Sequence, residues 1–115
     1  MYEIVSNIYL GDIKDVELGR DVCESIVSVY NGPIDLSMYS NSISVSIEDS
    51  PTSDLLSQFP RLIDFISLHK NEKVLIHCFA ASSRSVATLL AYLLSESLIQ
   101  SVEEGLNLIV SKGRV

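Results

Sequence analysis

The run Lys73-Val74-Leu75-Ile76-His77 narrows the fold more than any other part of this 115-residue chain. Its three central residues are all large and apolar. A strand with one wet face would alternate; this one does not, so it needs cover on both faces. That is the signature of a central strand in a parallel sheet with helices above and below. A chain of 115 residues holds one such core and leaves no room for a second, so residues 1–115 are expected to form a single domain.

The remaining segments agree. Glu3 to Gly11 reads as a strand, a turn at Ser6-Asn7 and a second short strand. Asp12 to Leu18 reads as a short helix with Asp12 as its N-cap and Gly19 near its end. Ile26 to Val29 is a strand broken by Asn31-Gly32-Pro33. From Asn41 to Ile47, Ile43, Val45 and Ile47 point one way and three serines the other, as in a half-buried strand. Leu55, Phe59, Leu62, Ile63 and Ile66 fall at helical spacing; Pro60 either opens that helix after a separate turn or kinks it. Val86, Leu89, Leu90, Leu93 and Leu94 form a second helical stripe, and Ser101-Val102-Glu103-Glu104 is a capping box for a last helix ended by Gly113. Alternating strands and helices predict an α/β three-layer domain with a small, mostly parallel central sheet flanked by helices.

Ligands in such sheets bind at the carboxyl ends of the strands. There the 73–77 strand gives way to Cys78-Phe79-Ala80-Ala81-Ser82-Ser83-Arg84-Ser85, with a helix opening at about Arg84. Successive backbone N–H groups in a loop this tight form an anion cradle, and the helix dipole adds positive charge at the same point. Arg84 can fork two hydrogen bonds onto two phosphate oxygens. Cys78 lies in the same field. A fall in its pKa from about 8.5 to about 5 would make the thiolate nearly complete at neutral pH. A thiolate at the base of a phosphate cradle is placed to attack phosphorus.

His77-Cys78, five residues, then Arg84-Ser85 resembles the signature of the cysteine-dependent protein tyrosine phosphatases. Cys78, Ala80, Ser83, Arg84 and Ser85 are similar to the loop of the small dual-specificity branch. The resemblance extends to Asn7–Gly11, to Ile47-Glu48-Asp49 with Asp54-Leu55, to Asp64–Ile66 and to Ala91–Leu93. It implies a phosphatase-like fold, with Cys78 as nucleophile and Arg84 as the phosphate and transition-state ligand. It further implies Asp49 as general acid and then base, and Ser85 as hydrogen-bond donor to the sulfur in the second step. Phe79, Ala80, Ala81, Ser82 and Ser83 would line the phosphate loop. No metal and no cofactor is implied. Two departures stand out. The family's loop glycine is Ala81 here, which costs on the order of 1 kcal/mol if that position needs positive φ. The chain also stops at Lys112-Gly113-Arg114-Val115, where family members continue into one more helix.

The activity implied is hydrolysis of phosphotyrosine and phosphoserine or phosphothreonine in proteins, through a phosphocysteine. The alternative is a catalytically weak or inactive module that binds phosphate. A rhodanese-like enzyme would place the Arg differently from Cys-x5-Arg, and an arsenate-reducing thiol enzyme would need Cys23 near Cys78 as a resolving thiol. Eight basic against fifteen acidic residues give a formal net charge of −7, which disfavours nucleic-acid and anionic-membrane partners, and RNA triphosphatase activity with them. No Lys or Arg lies between Phe79 and Ser83 to meet the extra phosphates of a lipid headgroup. No apolar run reaches membrane length, the N-terminus has no secretory pattern, and two cysteines do not make a disulfide scaffold. A reduced intracellular setting, cytoplasmic or also nuclear, is therefore expected.

Glu48 and Asp54 are the rival acids near Asp49, with Asp54 expected to cap the next helix. His77 is expected to order the loop through hydrogen bonds, not to act as a base. His69 is expected to be a solvated helix-end residue near Lys70, and Cys23 a small core residue. Tyr30 and Tyr39 are read as packing residues, with shaping of the pocket mouth as the other reading.

Overall fold

A computed structural model describes residues 1–47, 54–80 and 83–113. Five strands form one sheet: β1 (Tyr2–Val5), β2 (Ile8–Gly11), β3 (Ser25–Val29), β4 (Asn41–Val45) and β5 (Val74–His77), in the order β1-β2-β5-β3-β4. Only β1 is antiparallel to its neighbour. The other pairings are parallel, with β5 at the centre between β2 and β3. The continuous apolar run of β5 is explained directly: every residue from Val74 to His77 is buried. The turn between β1 and β2 passes through Asn7 at φ 69, a left-handed conformation that Asn tolerates.

Alternation along the strands divides the core in two. Val74 and Ile76 of β5, with Val27 and Val29 of β3, pack under α2 (Phe59–His69), α3 (Arg84–Ser95) and α4 (Val102–Ser111). Leu62, Ile66, Leu89, Leu93 and Ile109 supply the helical half of that layer. Each such side chain contributes roughly 1.5–3 kcal/mol by leaving water. Leu75 and Ile26 face the other way, onto a thinner layer of Val16, Cys23 and Tyr39. Among the described residues its one helix is the short α1 (Asp15–Gly19), and the segment leading to β4 adds Tyr39.

Several local expectations shift. α1 begins at Asp15 rather than just after Asp12, because Asp12 closes a turn of its own. Its Oδ1 accepts the N–H groups of Lys14 at 2.8 Å and Asp15 at 3.3 Å, and Asp15 Oδ2 accepts the Asp12 N–H at 2.9 Å. β4 stops at Val45, opposite the last residue of β3, so Ile47 lies beyond the ladder. Pro60 is the second residue of α2, preceded by a separate 3-10 turn at Leu56–Gln58, so it opens the helix rather than kinking it. Asp54 accepts the Ser57 N–H at 3.4 Å across that turn. Ser101 caps α4, its hydroxyl accepting the Glu104 N–H at 3.1 Å, and Gly113 beyond the end sits at φ 122.

His69 is a correction. It is not a solvated residue, since its ring packs on Phe65 at 4.6 Å between centroids, and its Nδ1 lies 3.2 Å from Glu72. The i,i+4 spacing of Phe65 and His69 on α2 brings the two rings together.

Candidate active site

The parallel register brings the carboxyl ends of β2, β5 and β3 level: Gly11 pairs with His77, and Ser28 with His77. The residues that follow those ends meet along one edge of the sheet. Cys78 comes directly after β5 and is buried. Its Sγ lies 3.1 Å from Ser85 Oγ in the first turn of α3, itself fully buried. A thiolate can only accept, so in that state the Ser85 hydroxyl donates to it. α3 runs away from the site with its positive end toward it. Its N-cap is Ser83, whose carbonyl accepts the Ala87 N–H at 2.8 Å.

Arg84 is only 7% exposed, which is rare for a guanidinium and calls for partners. Nη1 donates to the Ile47 carbonyl at 2.7 Å and to Asn31 Oδ1 at 3.2 Å. The Nε–H is buried and has no partner among the described residues. One corner of the fork is thus anchored to protein, while the Nε edge keeps a donor that an oxyanion would satisfy. That edge is the one that binds two phosphate oxygens side by side. Thr88 donates its hydroxyl to the Arg84 carbonyl at 2.8 Å, holding the first turn of α3.

His77 is fully buried and bridges the sheet to the loop. Nδ1 lies 3.0 Å from the Cys78 carbonyl, and Nε2 lies 2.8 Å from Ser28 Oγ. A carbonyl only accepts, so Nδ1 carries the proton and Nε2 accepts from Ser28. Burial pushes the ring's pKa down and Arg84 adds to that, against the opposing pull of the Cys78 carbonyl and of Asp12 and Asp15. A neutral ring with both nitrogens engaged orders the loop and is not poised as a base. Phe79 stands 57% exposed at the loop's outer side, its carbonyl accepting the Ile13 N–H at 3.0 Å. Ala80 is exposed, as is Ser83.

Asp49, Ala81 and Ser82, together with Glu48, lie outside the described residues. Asp54 is described and serves the Leu56–Gln58 turn. Tyr39 is remote from the site: it is a core residue whose hydroxyl donates to the Val16 carbonyl. Tyr30 is at the site, half-buried, with its ring 6.3 Å from that of His77. Cys23 precedes the amino end of β3, whereas Cys78 follows the carboxyl end of β5. About 10 Å of strand separates those two ends. Burial and the Glu24 charge push the Cys23 thiol up to about 11. It is a protonated core residue with no access to Cys78 as a resolving thiol.

Two contributors, Asn31 and Ser28, were not singled out as site residues from the sequence. Asn31 read only as a strand breaker. Its position two residues past Val29, beside the central strand, is the signal that would have placed it at the strand ends.

Among the described residues no helix is long and apolar enough to cross a membrane. A family model described as "Dual specificity phosphatase, catalytic domain" matches residues 24–113. Dual specificity protein phosphatase 22-B of Danio rerio is 31% identical over 99 residues, covering 81% of this chain and 54% of its own length. Tyrosine-protein phosphatase yvh1 of Schizosaccharomyces pombe is 34% identical over 109 residues, covering 83% of this chain and 31% of its own. The chain therefore spans about half or less of those relatives. The crystal structure of DUSP15 superposes with a TM-score of 0.86 at 24% identity, over 96% of this chain and 74% of that one, a likeness of fold. The sequence match over most of the chain, together with a cysteine and an arginine converging at the strand ends, makes this protein a member of the dual-specificity phosphatase catalytic-domain family.

Proposed function

We propose that residues 1–115 act as one catalytic domain that hydrolyses phosphate monoesters on phosphotyrosine and phosphoserine or phosphothreonine proteins. In the first step the Cys78 thiolate attacks phosphorus and the P–O ester bond breaks. Asp49 gives its proton to the departing oxygen. In the second step water attacks the phosphocysteine, Asp49 takes the proton, and the S–P bond breaks. Ser85 donates a hydrogen bond to the sulfur as negative charge returns to it. Arg84 neutralises the equatorial oxygens throughout, and the loop from Phe79 to Ser83 supplies N–H donors. His77 holds the loop. The chemistry needs a reduced Cys78, which suits the cytoplasm or the nucleus.

The observation that carries this reading is the Cys78 Sγ–Ser85 Oγ contact of 3.1 Å beside a buried arginine whose Nε–H has no partner among the described residues. The contact between Arg84 and the Ile47 carbonyl supports Asp49 in its role, since Asp49 follows Ile47 by two residues. The test is hydrolysis of para-nitrophenyl phosphate from about pH 5 to 8 in the presence of a chelator, for the wild type and Cys78→Ser. Turnover that persists with chelator and vanishes in the serine variant is expected. A folded wild type that binds phosphate without turning over would refute the enzyme and leave a phosphate-binding module.

A further inference from the structure

The sheet has two edges, and they are built differently. β1 carries Glu3 and a break in register between Glu3 and Val5, two devices that discourage a further strand from adding. β4, at the other edge, has neither. It lies within Leu36 to Ile47, twelve residues with no charged side chain. The Asn41 N–H donates inward to the Glu24 carbonyl at 3.2 Å. Backbone groups alternate along a strand, so Ile43 and Val45 also bond to β3, while Ser42 and Ser44 turn their N–H and C=O groups outward. Both serines are exposed, and among the described residues no strand lies beyond them. The Ser44 carbonyl instead accepts from Arg61 Nη2 at 3.5 Å, and Arg61 is exposed and in no ion pair among the described residues. The strand is also aimed at the site. Two residues past its end, the Ile47 carbonyl accepts from Arg84 at 2.7 Å.

We propose that the free edge of β4 docks the phosphoprotein substrate, which adds an extended, acidic segment there as a further strand beside its phosphorylated residue. The inference rests on the phosphatase reading and adds how the rest of the substrate is held. In strand addition the main chain supplies affinity and the side chains supply selectivity. Ser42 and Ser44 offer the main-chain groups, and their small side chains leave room for the incoming strand. Roughly 16 Å of extended chain runs from Ser42 to Ile47, so the segment lies about three to five residues from the phosphorylated one. Arg61 selects its charge. A cation beside Ser44 matches an aspartate or glutamate of the added strand, on a chain whose net charge of −7 repels acidic partners elsewhere. A second copy of this chain is the poorer occupant, since it would bring a further −7 and an uncharged strand with nothing for Arg61 to meet.

The experiment measures kcat/KM on a phosphotyrosine peptide with acidic flanks and on a set in which one flanking amide at a time is N-methylated. Strand addition predicts losses of about two- to tenfold at every second residue of one flank and little change between them. Ser44→Pro removes one outward donor at a position where an edge strand accepts proline. It should lower kcat/KM on the peptide by a similar factor, while para-nitrophenyl phosphate, which has no flank, is turned over as before. Arg61→Gln should abolish the wild type's preference for an acidic over a neutral flank. The methylation scan leaves the protein untouched, so it decides the matter even where Ser44→Pro fails to fold. A flat profile along both flanks, or equal losses on the peptide and on para-nitrophenyl phosphate, would overturn the inference. A wild-type dimer that separates in Ser44→Pro would overturn it too, by assigning the edge to a second copy. If the wild type turns over neither substrate, the phosphatase reading fails instead. Calorimetric binding of the same methylated peptides then decides: losses at every second residue sustain the docking edge, and a flat profile overturns it.

Discussion

His77 links the stability of the site to pH, and the direction follows from its surroundings. The ring is buried and neutral, with Nδ1 donating to Cys78 and Nε2 accepting from Ser28. Burial, reinforced by Arg84, holds its folded-state pKa below the ordinary value of 6.5. The unfolded chain takes up the proton near pH 6.5; the folded chain takes it up lower. Stability from this group is thus complete above about pH 6.5 and is lost as pH falls through the window beneath it. While the folded ring stays neutral, each pH unit below that point removes up to about 1.4 kcal/mol. His77→Asn gives the comparison, because an amide can still donate to the Cys78 carbonyl but does not titrate. Urea unfolding of both proteins at about pH 7.5, 6.5 and 5.5 provides the assay. Contributions from groups that the substitution leaves in place cancel in the difference. The wild type's advantage over His77→Asn should shrink by about 1 kcal/mol between the highest and lowest pH. A flat difference would mean that the ring is not held neutral. A difference growing toward low pH would mean a charged ring paired with Asp12 or Asp15, and the tautomer argument would fall.

Three further outcomes follow from named contacts. Ser85→Ala removes the hydroxyl at the sulfur, so release of the thiolate in the second step should slow by about 10–100-fold. A pre-steady-state burst of leaving group followed by slow turnover reports this, and unchanged turnover would contradict it. Arg84→Lys keeps the charge but loses the fork and the anchored corner, and kcat/KM should fall by about 10²–10³ with the thermal midpoint of a folded protein retained. Tyr39→Phe strips a buried hydroxyl from the Val16 carbonyl and should cost about 1–2 kcal/mol in urea unfolding while leaving kcat/KM unaltered.

Much of the architecture was legible because local signals agreed with one another. The apolar run of β5, the stripe of α3 and the Ser101 cap of α4 each correspond to an element in the structure. That Cys78, Ser85 and Arg84 lie together was legible because strand, loop and helix start are contiguous in sequence. What escaped depends on register between distant segments. Ser28 reaches His77 across 49 residues, and Asn31 reaches Arg84 across 53, through the pairing of β3 with β5. No spacing rule contains those contacts. The start of α1 was misplaced because Asp12 serves its own turn before the helix begins. His69 was misread because a polar residue at a helix end was assigned to solvent without regard to the Phe65 ring one turn back.

The covalent step is the centre of the account, and it is open to direct observation. The protein would be mixed with a phosphorus-labelled aryl phosphate, quenched during turnover and digested, and the label located by mass spectrometry. The account predicts label on the sulfur of Cys78 in the wild type, more of it in Ser85→Ala, and none in Cys78→Ser. Turnover with no label on Cys78, or label on any other side chain, would contradict it.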